Sequence, residues 1–188
     1  EGTGTATVGG SLDYAPQTTL VVTLSNGATI TFEPNYVVGT VVQSTPFVIQ
    51  TDDVYKDGET YTLTVASTIG GNFENLVTTD TAKVTISDTT DATTLTLNDV
   101  SVNEGTGTAT VGGSLDYAPQ TALTVTLSNG STITFGPDYV VGTTVQSTPF
   151  TIQTDDVYKD GETYEITVAS TTGGNFENLV TTDKATVT

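Results

Sequence analysis

Five residue types are missing from this chain altogether: it has no cysteine, histidine, methionine, tryptophan or arginine. Without cysteine there is no disulfide framework, so a secreted version of the chain needs another staple. Without histidine and cysteine, the Ser-His-Asp and Cys-His nucleophile systems are impossible. Zinc and copper sites lose their preferred ligands for the same reason. Positive charge is also scarce. Four lysines face 22 acidic residues, a net charge of −18. That balance excludes a nucleic-acid partner, where phosphate must be neutralised, and disfavours anionic membrane surfaces. No apolar run approaches the ~18 residues a spanning helix requires, so membrane insertion is not expected. The donors that remain are carboxylates, amides, hydroxyls and backbone carbonyls, which is the ligand set of a hard cation.

What is present is repetition. Glu1 and Glu104 open the same eighteen letters, "EGTGTATVGGSLDYAPQT", a period of 103 residues. Residues 1–85 and 104–188 differ at 12 positions. A period of this size marks two copies of one domain rather than a solenoid. The expected domains are 1–90 and 91–188, with a linker around 87–93. The "ISDTTDATT" after Thr85 has no counterpart after Thr188, and the first copy shows no equivalent of residues 92–97, so its first strand is expected to be missing. The chain is expected to be an excerpt from a longer array.

Threonine and valine alternate through both copies, as half-buried strands require. Leu95 and Leu97 alternate with threonines, and Val100 and Val102 resume in the opposite phase after Asn98-Asp99. That slip predicts a bulge or a change of sheet. Gly112-Gly113 predicts a second bulge. Asn129-Gly130, between alternating runs, predicts a type I′ hairpin turn. Phe150 and Ile152 mark a fifth strand, Tyr164, Ile166 and Val168 a sixth, and "LVTTDKATVT" a closing seventh. Asp99 is expected to solvate its bulge, Tyr14, Tyr36, Tyr55 and Tyr61 to pack at the core or sandwich edge, and "GGNFEN" to be a turn. The fold class is all-β: two tandem immunoglobulin-like antiparallel sandwiches of about seven strands each, end to end.

With strands reversing at each turn, the acids sort to defined ends. Glu1, Asp52, Asp53, Asp57, Asp88 and Asp91 are expected at one end of the first domain, and Glu104 with the 153–162 loop at the same end of the second. Carboxylates from separated segments repel unless a cation sits among them. The expected partner is therefore calcium.

"DVSVNEGTGTATV", "TDDVYKDGETYTLTVAS" and "KVTISDTTD" resemble the Calx-β type of repeat. In order and spacing they are similar to the tandem extender domains of giant RTX-type bacterial adhesins. The resemblance implies a long fibre secreted by the type I pathway, displayed outside the bacterial cell for attachment and biofilm growth, and stiffened by calcium at domain ends and linkers. Carried over by position, the implied ligands are Glu1, Asp52, Asp53, Glu59, Asp88 and Asp91, with Glu104, Asp155, Asp156 and Glu162 in the second copy. Lys56 and Lys159 depart from the pattern where an acid is usual, which favours fewer ions or an arrangement using Asp57 and Asp160. Adjacent near-identical repeats are the expected neighbours, and the pair is expected to be monomeric. The rival reading is a binding module whose sandwich loops recognise a carbohydrate or a protein. An enzyme is not expected: a carboxylate pair could hydrolyse glycosides, but no aromatic cleft residues offer a sugar a stacking face.

Overall fold

Alternating β-branched residues fold into strands throughout, and no helix forms among the described residues. The structure is a computed structural model describing residue 2 and residues 4–188. It divides into two compact units. Unit 1 comprises Glu1–Asp52 and Asp57–Thr89; unit 2 comprises Asp53–Lys56 and Thr90–Thr188. Four residues from the middle of the first copy therefore belong to the second unit.

Unit 1 holds β1 (Thr5–Ala6), β2 (Gly9–Gly10), β3 (Leu20–Leu24), β4 (Thr29–Phe32), β5 (Val42–Gln43), β6 (Phe47–Val48), β7 (Thr60–Gly70) and β8 (Thr81–Thr85). Its main sheet runs β4-β3-β7-β8, and β2–β5 and β1–β6 form two short pairs. The buried side chains Leu20, Val22, Leu24, Ile30, Phe32 and Leu63 make its core.

Unit 2 holds β9 (Ala92–Leu97), β10 (Thr108–Ala109), β11 (Gly112–Leu115), β12 (Leu123–Leu127), β13 (Thr132–Phe135), β14 (Val145–Gln146), β15 (Phe150–Thr151), β16 (Tyr164–Thr172), β17 (Asn178–Val180) and β18 (Lys184–Val187). One four-stranded sheet runs β14-β11-β9-β17 and the other β13-β12-β16-β18, with β10–β15 as a separate pair. Leu95, Leu115, Leu123, Ile133, Phe135 and Ile166 are buried in its core. Each such side chain contributes about 1.5–3 kcal/mol relative to exposure. A hydroxyl clamps the corner of each sandwich. Tyr139 Oη accepts the Leu115 N–H at 2.9 Å and donates to the Thr143 carbonyl at 2.7 Å, while its ring meets Phe135 edge-on at 5.1 Å. Tyr36 repeats the arrangement in unit 1 on Leu12, Thr40 and Phe32.

The slip at Asn98-Asp99 is a change of sheet. Beyond β9, Val100 bridges in parallel to Val187 of β18, and its N–H donates to Thr186 O at 2.8 Å. Asp99 Oδ1 accepts the Thr186 N–H at 2.7 Å, so the carboxylate secures the crossing. Near Gly112-Gly113 the chain changes partners instead of bulging: β10 pairs with β15, and β11 pairs with β14 and β9. Two further expectations need correction. "LVTTDKATVT" is two strands, because β17 lies parallel to β9 in one sheet while β18 lies beside β16 in the other. The Asn129-Gly130 turn is not type I′, which needs positive φ at both central residues. Only Gly130 (φ 84°) is positive, and its N–H donates to Leu127 O at 2.9 Å. The loop is the three-residue kind with a bulge at glycine. Asn129 supplies a local cap, its side-chain oxygen accepting from Ser131 N–H at 3.1 Å.

Candidate cation-binding site

The twelve letters "QTDDVYKDGETY" occur twice and have two different surroundings. In unit 2 the second copy forms the loop between β15 and β16, facing the turn that carries Glu104. Gly105 N–H donates to Gln153 O at 3.3 Å. Gly105 has φ +74°, and a Cβ there would stand 2.7 Å from Asp155 Cβ. Glycine is thus what lets the Glu104 turn close on the acidic loop. Glu104 Oε1 lies 3.7 Å from where a Cβ on Gly161 would sit. Gln153 Nε2 donates to Asp160 Oδ2 at 3.0 Å, while buried Gln153 Oε1 has no hydrogen-bond partner among the described residues. Asp156 turns inward on its own loop and accepts the Tyr158 N–H at 2.7 Å. Glu104, Gln153, Glu162 and Tyr164 border a depression of about 40 Å³.

The electrostatics agree with this crowding. Partial burial, and then Asp160, Asp156, Asp155 and Glu162, raise the Glu104 carboxyl above its usual range. The four other expected acids of the second copy thus all bear on the charge of Glu104. A raised carboxyl holds its proton more tightly folded than unfolded. It costs stability above its folded value, and that cost vanishes as pH falls to the ordinary carboxylate range. In EDTA, Glu104→Gln is expected to raise the melting temperature at neutral pH, and the gap to the parent protein should close toward pH 4. Melting curves that stay parallel from pH 7 to pH 4 would show that Glu104 feels no such field.

The first copy is divided. Asp52, Asp57, Glu59 and Asp88 lie in unit 1; Asp53 and Asp91 lie in unit 2. Asp52 accepts a hydrogen bond from the Thr89 hydroxyl. Glu59 and Ile86 exchange backbone bonds of 3.1 and 2.8 Å, and Asp88 packs against Gly58. Buried Asp57 Oδ1 and Gln50 Oε1 have no hydrogen-bond partner among the described residues. Glu1 lies outside the described residues. Asp53 Oδ1 instead accepts the Tyr55 N–H at 2.7 Å, and the Asp91 N–H donates to Glu177. Among the described residues no three acidic side chains stand close enough to cage a metal ion as placed. The donor set fits calcium, which accepts six to eight oxygens, amide and backbone carbonyls included, in flexible geometry.

The split exposes a feature that sequence reading did not single out. Val54 and Tyr55 pack into unit 2. Val54 is 7% exposed, and the Tyr55 ring stacks on Phe176 at 5.7 Å. Tyr55 Oη donates to Ala118 O at 2.5 Å. Lys56 N–H donates to Asn175 O at 3.2 Å, and Glu177 N–H to Val54 O at 3.0 Å. Burial, and then the Asp53 carboxylate, raise the Tyr55 phenol above its ordinary value. The "GGNFEN" turn therefore receives a short segment. Its identical counterparts Val157 and Tyr158 are 91% and 74% exposed.

These features define a class: tandem β-sandwich repeats, strongly acidic, with carboxylates gathered on loops at a sandwich end. The sequence pattern of the LapA domain matches residues 1–89 and 91–188, so the chain belongs to the LapA domain family of large adhesins. No curated protein matches it. The family and the all-β fold suit a cell-surface, non-catalytic role, and no helix is long and apolar enough to cross a membrane among the described residues.

Proposed function

We propose that the chain is a calcium-stiffened spacer: extender repeats of a long RTX-type adhesin, secreted by the type I pathway. Displayed at the bacterial surface, the repeats hold a terminal binding region away from the cell for attachment and biofilm growth. The observation that carries this reading is the closure of the Glu104 turn on the acidic 153–162 loop, where Gly105 N–H donates to Gln153 O at 3.3 Å and a Cβ on Gly105 would stand 2.7 Å from Asp155 Cβ; the loop's acids raise the Glu104 carboxyl. Like charges so gathered cost stability until a cation joins them. Calcium is the ion whose coordination tolerates such a loop, whereas magnesium demands near-ideal octahedral geometry. A spacer also needs no cleft, in keeping with two near-identical sandwiches.

Scanning calorimetry tests the reading. Extracellular calcium modules bind with a Kd of roughly 10⁻⁴–10⁻³ M. At calcium about 10–100 times Kd, mass action contributes about 1.4–2.7 kcal/mol per site. Melting should rise by several degrees, with magnesium a poor substitute. Superimposable melting curves in EDTA and in millimolar calcium would remove calcium from the function.

A further inference from the structure

The Asn-Gly hairpin turn occurs in both units with one chemical difference. In each, the leucine N–H donates to the carbonyl of the residue after glycine at 2.8 Å, and the glycine N–H donates to that leucine's carbonyl at 2.9 Å. Asn26 and Gly27 are exposed, as are Asn129 and Gly130, and a Cβ on either glycine would meet nothing within 4 Å. The residue that follows is 5% exposed in both, but it is Ala28 in unit 1 and Ser131 in unit 2. Asn26 Oδ1 therefore accepts one hydrogen bond, from Ala28 N–H at 3.1 Å. Asn129 Oδ1 accepts two, from Ser131 N–H at 3.1 Å and from Ser131 Oγ–H at 2.8 Å.

An asparagine side chain followed by glycine is open to attack by the next main-chain nitrogen, because glycine puts no side chain in the way. In that attack negative charge collects on Oδ1. Donors already aimed at an oxygen that becomes charged favour the transition state over the neutral amide. Hydrogen bonds to a charged acceptor are roughly twice as strong as those to a neutral one. Asn129 has two such donors and Asn26 has one.

We propose that Asn129 is a self-modification site, cyclising onto Gly130 N with Ser131 N–H and Oγ–H stabilising the oxyanion, and that Asn26 is its slower counterpart. Gly130 N gives its electron pair to Asn129 Cγ and its proton to water, while the carbonyl π pair moves onto Oδ1. When that pair returns, the Cγ–Nδ2 bond breaks and Nδ2 takes a proton from water and leaves as ammonia. A five-membered imide remains. Water then opens it at either carbonyl, giving aspartate or an isoaspartate whose extra methylene lies in the main chain. The net change is amide plus water to acid plus ammonia, and each event adds a negative charge to the turn. The inference goes beyond the spacer reading and uses no cation.

The full chain is incubated folded at neutral pH and then cut after its four lysines, which leaves Asn26 in residues 1–56 and Asn129 in residues 84–159. Fragment mass spectrometry follows amide loss at each site. Asn129 is expected to convert about fivefold faster than Asn26, the rate equivalent of strengthening one hydrogen bond from neutral to charge-assisted. Ser131→Ala, which installs the residue that unit 1 already tolerates, should bring Asn129 to the Asn26 rate. Ala28→Ser should speed Asn26 to the same degree. In denaturant, where neither turn persists, the two sites of the parent chain should convert alike. Asn26 keeping pace with Asn129 in the folded chain overturns the proposal, as does a Ser131→Ala variant in which Asn129 reacts unchanged. A difference that persists in denaturant would place its cause in local sequence and overturn it equally. So would an Asn129 that stays intact in the folded chain while the unfolded chain converts fully.

Discussion

Tyr55→Ala is expected to lower the melting temperature of unit 2 by roughly 8–16 °C, whereas Tyr158→Ala, the same change in the same twelve letters, should leave it within a few degrees. The first substitution removes a ring stacked on Phe176 and a phenol that donates to Ala118 O. A stacked pair is worth about 0.5–1.5 kcal/mol beyond its area, and a typical hydrogen bond about 1 kcal/mol. A total near 2 kcal/mol moves a domain of ~100 residues by about 4–8 °C per kcal/mol. Tyr158 is 74% exposed and has no comparable packing to lose. Tyr55→Phe keeps the stack but not the bond, so its effect should be about half. Calorimetry of the three variants decides the matter. Equal shifts for Tyr55→Ala and Tyr158→Ala would mean that the first segment carries no structural role in unit 2.

Gly173→Ala should be more damaging still, about 3 kcal/mol or more. Gly173 has φ +86°, and a Cβ there would lie 2.0 Å from the Ala122 carbonyl oxygen. The left-handed backbone alone costs an L-residue about 1–2 kcal/mol, and the obstacle is the main chain of Ala122, just before β12, which cannot swing aside. β12 and β16 must part locally, or the turn that carries Phe176 must reshape. Chemical denaturation should show the loss, and Asn129→Ala, which removes only a local cap, provides the mild comparison at about 1 kcal/mol. Gly173→Ala as stable as the parent chain would mean that the turn has another accessible conformation.

Period-2 patterning made the sandwich legible, since Leu95, Leu97, Leu123, Val125 and Leu127 all face the core as their alternation requires. Asn98-Asp99 was legible as an interruption, but its phase change left a bulge and a change of sheet both open until Val100 is seen to pair with Val187. The closing segment was not legible as two strands, because Thr181 to Asp183 look like any β-prone polar stretch and only pairing with β9 separates the halves. The hairpin misled for a local reason. Asn-Gly suits type I′, but Ser128 joined the loop and left Asn129 with negative φ. Of the candidate site, the meeting of the Glu104 turn with the 153–162 loop follows from strand reversal. The parting of Asp52 from Asp53 does not, because neighbouring aspartates look alike until Val54 and Tyr55 are seen to be buried.

The membership of Asp53–Lys56 in unit 2 bears on the order in which the chain acquires its structure. During synthesis these residues are made well before Phe176, the residue on which Tyr55 stacks, while domains generally form N-terminal first. Unit 1 can therefore reach its final form while four of the residues that interrupt it still lack a place. Unit 2 cannot be complete until about 120 residues of chain separate Tyr55 from Phe176, a closure whose entropy cost grows only logarithmically with length. A fragment cut at residue 91 would carry the whole second LapA match and still expose the Phe176 ring. In this protein the unit of heredity and the unit of cooperative folding are offset by one short tyrosine-bearing segment.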